Sequence, residues 1–254
     1  MPTDAAAVRE EATGGEVPRY EVPGWRDRFG VVAGITARGA EGGRGFDLGL
    51  WTDAAVGEVM GRWRAFRHAE PGFGGVVLGN QVHGAAVAWH DRTVGWLQLE
   101  GIDGHATAAA GVLLTVTVAD CIPVYLIDPR RRAVALLHAG WRGTAAGILQ
   151  AGVELLAERA GTRRTDLVMH VGVGICGACY EVGSEVMTGV GLTADGPGPW
   201  HVDLRERLAA QGRALGITAI SCSAWCSAHD RPRFYSHRAS KGADGRMVAY
   251  LGLG

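Results

Sequence analysis

Short apolar runs alternate with longer amphipathic ones from residue 30 onward. Val31–Thr36 reads as a strand, and Thr52 or Asp53 reads as the cap of a helix through about Phe66, with Val56, Met60 and Trp63 on one face. Val76–Leu78 and Ala85–Trp89 read as strands around a GNQVHG turn. Three apolar runs then follow closely, Val112–Val118, Ile122–Ile127 and Ala133–Leu137. Each is short and bounded by Asp, Pro, Arg or Gly, which predicts strands buried on both faces. A helix is predicted from Thr144 to about Arg159, ending near Gly161, then a strand at Leu167–Val173. Helices near Val182–Val190 and Leu204–Leu215 and strands near Ile217–Ser221 and Met247–Leu251 complete the chain. Strand-to-strand neighbours leave little room for regular crossover helices, so the pattern predicts a single α/β (α+β) domain around mixed sheets.

Composition sets the class. The chain has 254 residues, 47% of them hydrophobic, enough for a sizeable core. A net charge of -1 gives no bulk attraction to nucleic acid or anionic lipid, so an anionic substrate must be held by local charges. Nothing approaches a membrane span, and the charged, Ala- and Gly-rich start has no signal-peptide core. Residues 1–22 offer too little apolar surface to offset chain entropy and are expected to be a disordered tail before a domain over 23–254. Five cysteines without an export signal argue for reduced thiols and a cytoplasmic protein.

Four segments concentrate chemistry. His83, Cys121 and His138 stand at strand ends. Two imidazoles and a thiolate match a zinc site with an open fourth position for a water that ionises near neutral pH; by spacing alone, a strand-end Cys serves equally as a small buried hydrophobe. In HAGWRGTAAG, Arg142 between two glycines and Thr144 at a helix start offer an anion site, or an ordinary strand-to-helix connection. Cys176-x-x-Cys179 and Cys222-x-x-x-Cys226 offer a four-thiolate metal site, or buried free thiols. The run FYSHRASKGADGR reads as a basic loop that either clamps a base or anion or is simply solvated.

These blocks, GNQVHG, ADCIPV, HAGWRGTAAGI, CYEVG and FYSHR…GRM, resemble the signatures of the YfiH-like family, also labelled laccase-domain or multicopper polyphenol oxidase proteins. The resemblance runs from about Val31 to the end. It implies a four-layer α/β/β/α fold related to cytotoxic-necrotizing-factor-type hydrolases. It implies one zinc per chain on His83, Cys121 and His138, phosphorolysis of adenosine, inosine and methylthioadenosine, and deamination of adenosine. On that basis Asp120 is the expected proton carrier, or an orienter of the histidines, as is Glu181. Arg142 and Thr144 would orient phosphate, Asn80 and Gln81 would bind base or ribose, and Tyr180, Glu181, His237 and Arg238 would complete the substrate site. The expected partners are a nucleoside and phosphate, with no nucleic acid or membrane, in a monomer or small homo-oligomer.

The chain departs from the family at Asp47, where Asn is usual, and at Ser236–His237–Arg238–Ala239, where SYRR is usual; both bear on substrate choice. Three other readings compete. A cysteine hydrolase would use Cys121 as nucleophile and His138 as base on a peptidoglycan-precursor amide. A specialised secondary-metabolism enzyme would turn the same zinc site on another heterocycle. A zinc module without activity would leave the open site unexplained. Copper oxidation fits poorly, because the chain has no His-x-His pair.

Overall fold

The computed structural model describes residues 5–39 and 45–254. The first surprise is at the N-terminus. The expected disordered tail instead folds into β1 (Ala6–Val8), β2 (Glu11–Ala12) and β3 (Arg19–Glu21); its first four residues lie outside the described ones. The correction has a polar rather than an apolar cause. Glu10 is buried and its carboxylate accepts from His170 Nε2 at 3.0 Å and Ser223 Oγ at 2.8 Å. A low apolar content does not register such anchors.

After α1 (Trp25–Phe29) and β4 (Val31–Thr36), α2 spans Val56–Ala69. It starts later than predicted: Thr52 and Asp53 do not cap it, and its buried stripe is Val59, Trp63 and Phe66 while Val56 is exposed. Next come β5 (Gly75–Asn80), β6 (Val87–His90), β7 (Gly95–Glu100), β8 (Gly104–Thr107), β9 (Val112–Val118), β10 (Ile122–Asp128) and β11 (Ala133–Ala139). The single helix predicted from Thr144 is two, α3 (Trp141–Ala145) and α4 (Ile148–Ala160). Gly147, with φ 83°, breaks the chain between them, a left-handed conformation glycine adopts freely. The remainder is β12 (Val168–Val171), β13 (Glu181–Val182), α5 (Ser184–Gly189), β14 (Trp200–His201), α6 (Leu204–Ala214), β15 (Ala219–Ser223) and β16 (Met247–Leu253).

Two mixed sheets of seven strands carry the fold, with orders β1-β15-β12-β10-β11-β8-β6 and β2-β3-β4-β16-β9-β5-β7. Between them lies a core that joins Tyr125, Val134 and Leu136 of the first to Val77, Leu114 and Ala249 of the second. The outer face of the first sheet packs against α4 and α6 through Leu137, Leu149 and Leu208. The outer face of the second packs against α2 through Trp63 and Phe66. Central strands with both faces covered explain why β10 and β11 are buried along their whole length and mostly apolar. No helix among the described residues is long and apolar enough to cross a membrane.

A candidate metal centre at the sheet crossings

The chain crosses from the second sheet to the first three times, between β5 and β6, between β7 and β8, and between β9 and β10. His83 sits on the first of these crossings and Cys121 on the third. Those two crossings need an unusual backbone: His83 has φ 60° and Asp120 has φ 82°. Left-handed conformations cost a non-glycine residue about 1–2 kcal/mol, and they persist where surrounding contacts overdetermine them.

Those contacts converge on Asp103, a residue the sequence reading missed. In the antiparallel ladder Leu137 faces Gly104, so Asp103 stands opposite His138. Its backbone carbonyl accepts from the His138 amide at 2.7 Å, and its Oδ1 accepts from His138 Nδ1 at 2.9 Å. The same carboxylate accepts from the backbone N–H of Val82, His83 and Gly84 at 3.1, 2.9 and 2.8 Å. Asp103 therefore fixes both the turn that carries His83 and the ring of His138. The only sequence signal was an acid within the GIDGHAT run.

Cys121 precedes Ile122, which pairs with Ala139, and so lies across from Gly140. A Cβ at Gly140 would stand 3.0 Å from Cys121 Sγ and 3.1 Å from His83 Cδ2. Ligand-capable atoms of His83, Cys121 and His138 all lie within 4.8 Å of one another, and the two imidazole rings are 4.9 Å apart at 72°. Burial alone would push the Cys121 thiol up; the charge and hydrogen bonds of His138, with those of His83, outweigh it and bring the thiol down to about 6. Burial would also lower His138, but Cys121 and Asp103 raise it to about 9. A thiolate and two imidazoles, one oriented by a carboxylate, are the donor set of a transition-metal site with three protein ligands. The residues present fit such an ion.

These groups open on a cleft of about 420 Å³. Arg142, Arg238 and Arg246 line it together with His237, Trp51 and Tyr180. The Arg142 guanidinium lies 4.4 Å from the Trp141 ring centroid and forms no ion pair with a carboxylate among the described residues. Arg238 lies over Tyr180 at 5.1 Å and donates to the backbone carbonyl of Glu181. Burial, with Cys121 nearby, pushes the Tyr180 phenol up to about 12.

Other expected site residues sit differently. Asp120 lines the cleft, but Oδ1 accepts from Ser227 Oγ and Oδ2 from the Arg238 amide, both at 2.6 Å. It contacts neither histidine by hydrogen bond; it anchors the basic loop. Gln81 lines the cleft while its Oε1 accepts from Thr117 N and Oγ1 and its Nε2 donates to Thr117 O. Asn80 lines it with Nδ2 donating to Glu100 at 2.8 Å. Thr144 is buried inside α3, which begins at Trp141 with Gly140 as its cap, so Thr144 neither starts a helix nor lines the cleft. Glu181 contributes its carbonyl rather than its side chain. Asp47 is buried, with Oδ1 accepting from the amides of Gly49 and Arg246 at 2.8 Å; it sets the position of Arg246 from behind and does not line the cleft. Cys222 lies in β15, apart from the other three cysteines of its expected group, which meet His229 instead.

Residues 40–254 match the family model described as multi-copper polyphenol oxidoreductase laccase. The purine nucleoside phosphorylase YlmD of Geobacillus stearothermophilus is 33% identical over 252 residues, covering 88% of this chain and 90% of the relative. Its crystal structure superposes with a TM-score of 0.85 at 28% identity, over 96% of this chain and 99% of that one. The adenosine deaminase RL5, from an unknown prokaryotic organism, is 32% identical over 182 residues, covering 64% of this chain and 69% of that protein.

Proposed function

The chain belongs to the family described as multi-copper polyphenol oxidoreductase laccase, and from that membership we propose that it is a zinc-dependent purine nucleoside enzyme, phosphorolysing adenosine, inosine or methylthioadenosine and deaminating adenosine. The observation that carries this reading is the His83, Cys121 and His138 cluster opening onto a cleft with three guanidiniums. Relatives with those two activities by name support it.

When bound, zinc supplies a Lewis acid at the head of the cleft. The chain's own groups do the rest. Arg142 and Arg246 give phosphate paired charge-assisted hydrogen bonds and hold it towards the ribose. In phosphorolysis a phosphate oxygen bonds to C1′ as the C1′–N9 bond breaks, and the departing purine takes up the proton that the hydrogen phosphate gives up. The Tyr180 phenol, held protonated by burial, donates a hydrogen bond to a purine nitrogen or ribose oxygen. Arg238, fixed by Asp120 and stacked on Tyr180, walls the cleft and excludes water. Asp103 keeps Nδ1 of His138 protonated so that Nε2 faces the metal position.

A second reading has one specific observation in its favour. Asp103, His138 and Cys121 are linked in the order of an acid–base–nucleophile triad, which suits an amide hydrolase. It leaves His83 without a task, despite its left-handed backbone.

The deciding experiment incubates purified protein with adenosine, with and without phosphate, follows products by chromatography, and includes Cys121→Ala. Phosphate-dependent adenine supports phosphorolysis and phosphate-independent inosine supports deamination, each abolished by Cys121→Ala and by a chelator. Amide cleavage that survives the chelator would favour the hydrolase.

A further inference from the structure

The cysteines the main site does not use point to a second metal. Cys176, Cys179, Cys226 and His229 offer four ligand atoms that all lie within 4.8 Å of one another. Cys179 Sγ is 3.1 Å from His229 Nε2, and Cys176 Sγ is 3.6 Å from His229 Nδ1. A tetrahedral zinc with Zn–S bonds of ~2.3 Å sets its sulfurs ~3.8 Å apart, within that spread. All five cysteines are free, and three thiols cannot be closed by a single disulfide.

The backbone around them is built as two matching turns, Cys176-x-x-Cys179 and Cys226-x-x-His229. The first closes with the amides of Cys179 and Tyr180 donating to the Cys176 carbonyl, each at 3.0 Å. The second closes with the Asp230 amide donating to the Cys226 carbonyl at 2.8 Å. Two amides, of Cys176 at 3.3 Å and His229 at 3.5 Å, are directed at Cys226 Sγ, the arrangement that stabilises a thiolate. A bridge between Gly174 and Cys226 holds the turns side by side.

We propose that Cys176, Cys179, Cys226 and His229 bind a structural Zn²⁺ that staples these two turns beneath the substrate cleft. Four protein ligands close the coordination shell, so this ion has no open position for substrate. Its effect on the cleft runs through neighbours: Tyr180 follows the first turn directly, and Ser227 in the second donates to Asp120 at 2.6 Å. The fully loaded chain thus carries two zinc ions, one on each cluster.

Metal analysis of the whole protein tests this without reference to nucleoside turnover. The proteins are purified under zinc and their metal counted per chain by mass spectrometry, for wild type, Cys121→Ala, Cys226→Ser and the double variant. The expected counts are two, one, one and none. Cys121→Ala protein loaded with Co²⁺ should show thiolate-to-cobalt charge transfer and the intense visible bands of a tetrahedral site, lost in the double variant. His229→Cys should keep the ion and His229→Ala should lose it. If the serine variants do not fold, thiol alkylation of Cys121→Ala decides the matter: Zn²⁺ should protect Cys176, Cys179 and Cys226 together. Folded Cys121→Ala protein that holds no metal, and whose three thiols alkylate equally fast with and without Zn²⁺, would overturn the proposal. Failure of the nucleoside assay would leave these counts untouched.

Discussion

Asp103 and His138 face each other across neighbouring strands with Oδ1 2.9 Å from Nδ1, and the same carboxylate collects three backbone N–H groups from the turn that carries His83. One side chain thus positions two of the three groups of the candidate metal cluster. Burial would raise its pKa, but His138 and the Gly84 and Val82 amides outweigh that and hold the carboxyl below its ordinary value. Asp103→Asn can no longer accept at both oxygens. Zinc affinity should fall by about 10- to 100-fold, as for other carboxylates that orient a metal-bound histidine. Competition with a chromogenic chelator measures it, and kcat/KM on the nucleoside should fall with it.

Gly140→Ala tests the packing of the cluster. The new methyl would stand 3.0 Å from Cys121 Sγ and 3.1 Å from His83 Cδ2, closer than either can accept without moving. Metal occupancy and turnover should drop while the thermal midpoint changes little, because the site lies at the strand ends and not in the apolar core. Unchanged zinc affinity in a folded variant would show the cluster is more tolerant than this geometry allows.

The thiol of Cys121 has its own signature. In metal-stripped protein its alkylation, mapped by peptide mass spectrometry, should switch on with a midpoint near pH 6. The sign follows from the partners: His138 and His83 stabilise the thiolate, so the reactive form survives to lower pH than in an ordinary cysteine. His138→Asn removes the larger of the two and should move the midpoint upward. A midpoint that does not move would mean that His138 does not set it.

Glu10→Ala should expose how the N-terminal segment is held. The substitution leaves His170 and Ser223 without their shared buried partner, at a cost of about 3 kcal/mol by analogy with other broken buried pairs. Denaturant titration reads it as a lower midpoint with an unchanged slope. Deleting residues 1–12 should destabilise at least as much, since it also removes β1 and β2.

Arg142→Ala separates phosphate binding from nucleoside binding. Losing a charged hydrogen bond is worth about 1.5–3 kcal/mol, so the KM for phosphate should rise by roughly 10- to 100-fold. Adenosine deamination, which needs no phosphate, should change far less. Parallel kinetics with and without phosphate make the comparison.

Much of this was legible in one dimension. The runs at β9, β10 and β11 announced buried strands because their apolar stretches are short and sharply bounded, and Gly161 marked the end of α4 where a left-handed residue is required. His83, Cys121 and His138 stood out because all three fall at strand ends in blocks resembling one family. The strands β7 and β8 escaped notice, for GWLQLE and GHAT lack the apolar run of a central strand.

The sequence by itself determined the central buried strands and the longer helices, and through its resemblance to one family it pointed to the three side chains of the main cluster, since local apolar patterning and residue chemistry are written along the chain. Only the tertiary structure decided that Asp103 stands behind His138, that Asp120 holds the basic loop, and that His229 rather than Cys222 completes the second cluster. Those relationships depend on strand register and on turns brought together from 35 to 118 residues apart. Register is a property of the assembled ladder: one residue of slip in β8 would turn Asp103 away from His138 without changing a letter of the sequence.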